Sequence, residues 1–226
     1  MLDILLKYIP NVLNNKAELI ECIYETLIMI SISGIISLFL GIILGVFLVV
    51  TKKGNILENM VLNNILDKSI NVFRSIPFII LLAALIPLTR AIVGTAIGTK
   101  GAIVPLVFGT VPFFARQIET ALLEVDKGVI EAALAMGSGP VDIIFRVYLR
   151  EGLPGIIRGI TITFVNLIGL SAMAGSVGGG GLGDFAIRYG YQRFQIDITY
   201  VTIIILLIFV SIIQGLGNLV IKKIKY

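Results

Sequence analysis

The sequence predicts an all-α, polytopic membrane protein with five transmembrane helices. Of its 226 residues, 57% are hydrophobic and only 14% are charged, and the mean hydropathy is +1.02. A soluble domain cannot cover its surface with so few polar groups. Uncharged runs also exceed the roughly 20 residues that a helix needs to cross a bilayer. We therefore expect one transmembrane domain over residues 1–226.

Several catalytic chemistries lack their residues. The chain contains no histidine and a single cysteine, Cys22, so the commonest proton shuttle and multi-cysteine metal sites are excluded. The segment Gly98-Thr99-Lys100 has the wrong spacing for a phosphate-binding loop. We expect no enzyme activity, no catalytic residue, no metal and no nucleotide bound by this chain.

The amino-terminal quarter predicts a peripheral helix and then a first span. Residues 1–25 have the pattern of a short interfacial helix broken at Pro10. The first span covers residues 26–51. Small side chains recur there at every fourth position, which allows a neighbouring helix to approach closely. These are Ser33, Ser37, Gly41 and Gly45.

The second and third spans are predicted at residues 70–89 and 92–115. Each contains a cation, Arg74 or Lys100, near an expected membrane edge. Four prolines make the two segments irregular, so a pair of re-entrant segments beside three full spans is the alternative. The prolines are Pro77, Pro87, Pro105 and Pro112.

The loop 116–158 between spans three and four predicts two helices joined by an elbow. Residues 126–128 read as a turn and residues 129–136 as a short helix, with Glu131 in its first turn. Gly137 suits the left-handed position after a helix. Pro140 suits the first turn of a second helix that ends near Glu151.

This elbow has the features of a docking element for a partner that moves as a rigid body. Alanines keep the first helix thin enough to enter a groove, and apolar side chains give it grip. The alternative is an amphipathic helix that rests on the bilayer without a partner. The candidate docking residues are Glu131, Ala132, Ala133, Leu134 and Gly137.

The carboxyl-terminal third predicts spans at residues 159–177 and 198–221. Dense glycine at the end of the fourth span indicates backbone that faces protein or water. Met173, between Ser171 and Gly175, is a candidate constriction residue of a translocation path. The following loop is polar and aromatic, and its candidate contacts with a solute-carrying partner are Arg188, Tyr189, Tyr191 and Arg193.

The distribution of charge predicts the orientation of the chain. With five spans, most of the 18 lysines and arginines fall on the side of loop 116–158 and of the carboxyl terminus. The positive-inside rule then places the amino terminus outside and the carboxyl terminus in the cytoplasm. The net charge of +4 is explained by topology, and no nucleic-acid partner is indicated.

The pattern Glu131-Ala132-Ala133-x-x-x-Gly137 resembles the signature loop of binding-protein-dependent ABC importer permeases. Residues 71–82, 86–90, 112–116 and 183–195 are similar to the methionine-import branch, above all Tyr189-Gly190-Tyr191-Gln192-Arg193-Phe194-Gln195. The similarity covers nearly all of the chain past Glu21. One departure is Arg150, which stands where the general pattern has proline.

The resemblance implies a homodimer of five-span subunits in a bacterial cell membrane. It also implies two ATP-binding cassette ATPase subunits, which bind ATP and Mg, on the cytoplasmic loops and a methionine-binding protein outside. The alternatives are a permease of the same architecture for another amino acid or peptide, an ion-coupled carrier or channel, and an intramembrane enzyme. A carrier predicts ionisable residues at mid-span. The three clearest spans have none.

Overall fold

The computed structural model describes residues 8–224, and every regular element in this range is helical. The first six helices are α1 Pro10–Asn14, α2 Lys16–Val50, α3 Met60–Ser75, α4 Phe78–Ala84, α5 Ile86–Val93 and α6 Gly98–Leu123. The remaining α-helices are α7 Lys127–Ala135, α8 Pro140–Asp142, α9 Leu149–Glu151, α10 Leu153–Ala174, α11 Gly181–Phe185 and α12 Ile196–Ile224. Wider π-helical turns occupy Ile143–Tyr148, Gly175–Gly179 and Ala186–Tyr191.

Four helical stretches in residues 8–224 are long and apolar enough to cross a membrane. They are Lys16–Val50, Gly98–Leu123, Leu153–Gly179 and Ile196–Ile224. The predicted spans 26–51, 159–177 and 198–221 overlap the first, third and fourth of these almost completely. The predicted span 92–115 overlaps the second, which begins later because Gly94 ends α5 in a left-handed conformation.

The predicted span 70–89 is not one continuous helix. Its residues belong to the end of α3, to α4 and to the start of α5. The break lies at Ile76, which has extended backbone angles (φ −80°, ψ 123°). Proline disfavours the helical conformation of the residue before it and has no N–H to donate, so Pro77 accounts for the break.

Only part of the predicted amino-terminal interfacial helix lies in the described range. Residues 1–7 of that predicted helix lie outside the described range, and α1 starts at Pro10, where the break was predicted, and ends at Asn14. Residues 16–25 are the first three turns of α2 and so are not part of a separate peripheral helix. The carboxylate of Asp197 accepts hydrogen bonds from the backbone N–H groups of Asn11 (2.9 Å) and Val12 (3.4 Å), and so caps α1.

The described residues form two compact units. The first contains the residues up to Ile35 with Pro77–Val107 and Phe164–Ile213. The second contains Ile36–Ile76, Phe108–Thr163 and the residues from Gln214 onward. The core of the first unit includes Met29, Leu106, Leu167, Leu182 and Phe185, which are fully buried.

In the second unit, the predicted strip of small residues packs against α6. A Cβ atom on Gly41 would lie 2.5 Å from the Phe114 ring, and one on Gly45 would lie 2.5 Å from Ile118. Both contacts are too short for any larger side chain, so glycine permits this approach of α2 and α6. The prediction that the strip serves helix packing is confirmed for its members Gly41 and Gly45.

Candidate functional site

The first arm of the elbow in loop 116–158 starts earlier than predicted. Asp126 precedes α7, and its carboxylate accepts a hydrogen bond of 2.6 Å from the Gly128 N–H. Asp126 is therefore the N-cap residue. Glu131 is the fifth residue of α7, so the prediction that it lies in the first turn and satisfies free amides is wrong.

The elbow itself is a Schellman motif. The Gly137 N–H donates to the Leu134 carbonyl (2.9 Å), and the Ser138 N–H donates to the Ala133 carbonyl (3.1 Å). Gly137 has φ +81°, the left-handed conformation predicted from its sequence position. The carbonyls of Ala133 and Leu134 at the end of α7 are therefore hydrogen-bonded within the chain and need no partner protein for this.

The second arm runs from Pro140 to Glu151 and contains the π-helical turn Ile143–Tyr148. Helix α7 packs against this turn. Ala133 is 5% exposed and belongs to the same core cluster as Ile143 and Tyr148. The residue that departs from the family pattern, Arg150, lies in the last turn of this arm, so the helix does not need a proline to end there.

The five candidate docking residues divide into two groups. Ala133 faces the core, whereas Glu131, Ala132, Leu134 and Gly137 are exposed. Leu134 is 48% exposed, and Met136, at the end of the arm, is 79% exposed. The exposed side of α7 therefore offers apolar side chains and one carboxylate to a partner, and the buried alanine fixes how that side is presented.

A hydrogen bond ties the second arm to the turn after α2. The Tyr148 hydroxyl donates to the Asn55 Oδ1 atom at 2.9 Å. Burial raises the pKa of the Tyr148 phenol above its usual value, so the hydroxyl stays protonated. Both residues line a cleft of about 340 Å³ beside α7, with Lys127, Ile130 and Glu131 on its other wall.

A network of charges joins α3 to α6 in the second unit. Arg116 donates to the carboxylates of Asp67 and Glu119, each at 2.6 Å, and to the Asn71 side chain at 2.8 Å. Lys52 contacts the other oxygen of Glu119 at 2.9 Å. Sequence reasoning missed this network. Its only signal is local, because Asp67 and Asn71 are four residues apart and Arg116 and Glu119 are three apart.

The three candidate pathway residues have different environments. Ser171 is buried, and its hydroxyl donates to the Ile168 carbonyl at 2.8 Å. Gly175 is buried at the start of a π-helical turn. Met173 is 49% exposed at the end of α10. Met173 is therefore the one member of the three with a long side chain free to contact other groups.

The candidate outer contacts form a cluster around Glu18 in the first unit. Arg188 lies between two carboxylates, 2.5 Å from Glu18 and 2.9 Å from Asp184. Tyr189 is buried and donates its hydroxyl hydrogen bond to Glu18. This hydrogen bond, together with burial, raises the pKa of the Tyr189 phenol.

Two of the four candidate outer contacts remain open to a partner. Tyr191 is 74% exposed, and Arg193 is exposed with its guanidinium 4.3 Å from the centre of the Tyr189 ring. Tyr189 is thus a platform that holds Arg188 and Arg193 in place. Among residues 8–224, no group of three or more metal-ligating side chains comes together.

A family model described as "Binding-protein-dependent transport system inner membrane component" matches residues 37–226. The chain is 50% identical to the "Probable D-methionine transport system permease protein MetI" of Vibrio cholerae, with 94% of each chain covered. It is 46% identical to the "Methionine import system permease protein MetP" of Bacillus subtilis, with 95% of this chain and 96% of that protein covered.

Solved structures agree with these relatives. A chain from inward-facing conformations of the MetNI methionine ABC transporter superposes with a TM-score of 0.91 at 44% identity, covering 93% of this chain and 98% of that one. A chain of an amino acid ABC transporter with histidines superposes with a TM-score of 0.78, covering 95% of this chain and 98% of that chain, at 16% identity, which shows the shared fold alone.

Proposed function

Because the chain belongs to the family of binding-protein-dependent transport system inner membrane components, we propose that it is the permease subunit of an ATP-driven methionine importer in a bacterial cell membrane. The observation that carries the proposal is identity of 50% over 94% of the chain to a protein described as a D-methionine transport permease. A self-contained carrier or channel is not supported. The chain itself is a transport subunit and not an enzyme.

The proposed assembly contains two copies of this permease, two ATP-binding cassette ATPase subunits and an extracytoplasmic methionine-binding protein. ATP and Mg belong to the ATPase. The transporter that contains the superposed structure is named MetNI, a methionine ABC transporter, which supports a separate energy-supplying partner. The bilayer surrounds the spans, because their lipid-facing side chains are apolar.

The elbow is the proposed coupling site. Glu131, Ala132, Leu134 and Gly137 face outward and would enter a groove of the ATPase. Ala133 faces inward, in a core cluster that also contains Val49 of α2 and Phe114 and Ile118 of α6. A close-packed core transmits displacement rather than absorbing it. Movement of the ATPase would therefore reach α2 and α6 through this one cluster.

The proposed topology keeps five crossings in a single domain over residues 1–226. The second crossing is discontinuous and is formed within residues 60–93 by α3, α4 and α5. Broken backbone at membrane depth requires protein or water beside it, which fits a segment that lines a path. The amino terminus lies outside, and the loop 116–158 and the carboxyl terminus lie in the cytoplasm.

The proposed path contains Met173 as the constriction, with Ser171 and Gly175 as small neighbours that leave room for its side chain. Outside, Tyr191 and Arg193 would contact the binding protein, and Arg188 and Tyr189 would hold them in position. The exposure of Met173 and Tyr191 in the single chain supports both assignments, because each side chain is free to meet a second chain.

Uptake in cells tests the function. We expect a methionine auxotroph without this gene to fail to grow on D-methionine and to recover when the gene returns on a plasmid. Normal growth of the deletion strain, when no other D-methionine transporter is present, would contradict methionine as the cargo. Purified complex with its binding protein then separates methionine from other amino acids, since only the true cargo should stimulate ATP hydrolysis.

A further inference from the structure

A polar cleft lies between α10 and α12 in the second unit, and none of the elbow or candidate path residues lines it. Its volume is about 260 Å³, and it is lined by Arg158, Thr161, Ile162, Gln214, Asn218 and Ile221. A Cβ atom on Gly217 would collide with Thr161, so the two helices meet closely at the floor of the cleft. This contact fixes the distance between its walls.

The charge of the cleft has one sign. Arg158 is exposed and takes part in none of the ion pairs found within residues 8–224. No carboxylate lines the cleft. Lys222 and Lys223 follow in the last turn of α12 and add positive charge nearby. An unpaired guanidinium in a cleft without carboxylates favours the binding of an anion there.

The position of the cleft along the helices matches the headgroup level of a membrane. Asn218 precedes Lys222 by four residues, which is about 6 Å of helix. Arg158 lies five residues after the start of α10, which is about 8 Å from the amino-terminal end of that helix. Lysines at the end of a transmembrane helix are typical of the membrane interface. The cleft therefore lies within about two turns of that interface.

The lining also divides by polarity as a phospholipid does. Arg158, Gln214 and Asn218 carry N–H donors for a phosphate, whereas Ile162, about one turn further along α10 than Arg158, offers apolar contact for an acyl chain. The Thr161 hydroxyl donates to the Ile157 carbonyl at 2.9 Å and so is not available as a donor to the ligand. Arginine binds phosphate oxygens in a two-pronged geometry that lysine cannot reproduce.

We propose that this cleft binds the phosphodiester headgroup of an anionic membrane phospholipid, with Arg158 as the principal ligand and the Gln214 and Asn218 amides as additional donors. One acyl chain lies against Ile162. The site follows from the geometry of α10 and α12 and does not depend on which solute the protein carries. It would anchor the end of α12 to the membrane surface.

Native mass spectrometry of the full-length chain in neutral detergent tests the site. With added phosphatidylglycerol, we expect bound lipid to be retained, and Arg158→Gln to lower the retained fraction by about five-fold or more. Arg158→Lys should lose less, because it keeps the charge. Arg150→Gln is the matched control, since Arg150 is also exposed but does not line the cleft, and it should retain lipid normally.

Three outcomes would overturn the proposal. Equal retention of phosphatidylcholine and phosphatidylglycerol would show that the cleft does not select an anionic headgroup. Retention of inorganic phosphate alone in the mass spectra, at the concentration that suffices for the lipid, would identify a free-anion site. A change of the monomer–dimer ratio in Arg158→Gln without any change in bound lipid would identify an interface between two copies of the chain. None of these outcomes bears on whether methionine is the cargo.

Discussion

The guanidinium of Arg116 lies 2.6 Å from the carboxylate of Asp67, across 49 residues of sequence. The same guanidinium contacts Glu119, one turn away on its own helix, at 2.6 Å. The side chains of Arg116 and Glu119 are only 17% and 9% exposed. Arg116 therefore neutralises a nearly buried carboxylate and at the same time holds α3 against α6.

Replacing Arg116 should destabilise the protein. Arg116→Gln leaves Glu119 with Lys52 as its only cation among the described residues, and loss of one partner from a buried pair costs about 3–5 kcal/mol. Because Asp67 is half-exposed, we expect a smaller loss of about 2 kcal/mol. The apparent melting temperature in detergent should fall by about 5 °C.

The control for this variant is Arg146→Gln. Arg146 also pairs with an aspartate, Asp142, but the two side chains are 81% and 53% exposed. Exposed pairs contribute little, so its melting temperature should stay within about 1 °C of the parent. Equal effects of the two substitutions would show that the Arg116 network does not hold α3.

Gly137→Val should abolish transport while leaving membrane insertion normal. Gly137 has φ +81°, and a β-branched residue there costs on the order of 1 kcal/mol or more, which tilts or frays the end of α7. Uptake of labelled methionine and the amount of protein in membranes are measured together. Unaltered uptake would contradict the proposal that the left-handed conformation of Gly137 is needed for coupling.

Two further variants separate backbone strain from side-chain bulk. Gly139→Ala should be tolerated, because Gly139 has φ −75° and free space around its Cβ position. Gly137→Asn should keep part of the activity, because asparagine enters the left-handed region more readily than valine. If Gly139→Ala were as inactive as Gly137→Val, the loss of transport would be due to the added side-chain volume on the docking surface and not to backbone strain.

Cysteine cross-linking should follow the two sides of α7. In a Cys22→Ala background, Ala132→Cys and Ala135→Cys should cross-link to a thiol placed in the groove of the ATPase, because both positions are exposed. Ala133→Cys should not, because Ala133 is 5% exposed and faces the core. Cross-linking of all three at similar rates would mean that α7 is not held by its own second arm.

The hydropathy of the sequence predicted four long spans well, because charge-free runs of this length have few other structures available. Local chemistry also placed the elbow, since Gly137 and Pro140 each suit one backbone conformation. The break at Ile76 and the start of α7 at Lys127 were missed, although Pro77 and Asp126 carried the signals for them. A capping aspartate competes with a later glutamate for the helix start, and spacing alone did not decide between them.

Contacts between distant segments could not be predicted. The partner of Arg116 depends on how α3 packs, and Asp67 is only one of several acidic residues that could have met it. The same holds for Ala133. The composition of α7 predicted that all its alanines would be accessible to a partner, but the π-helical turn Ile143–Tyr148 covers Ala133.

The buried phenol of Tyr189 predicts a stability difference that depends on pH. Its hydrogen bond to Glu18 raises the pKa of the phenol in the folded protein. The folded state therefore holds this proton more tightly than the unfolded chain, and the stabilisation is complete below about pH 10 and is lost as the pH rises through the folded pKa.

Tyr189→Phe should thus be less stable than the parent protein by about 1 kcal/mol at pH 8. The difference in melting temperature between the two proteins should shrink as the pH rises above about 10. Tyr191→Phe, at an exposed position, serves as the control and should follow the parent at every pH. A constant difference between Tyr189→Phe and the parent across this range would show that the phenol contributes packing alone.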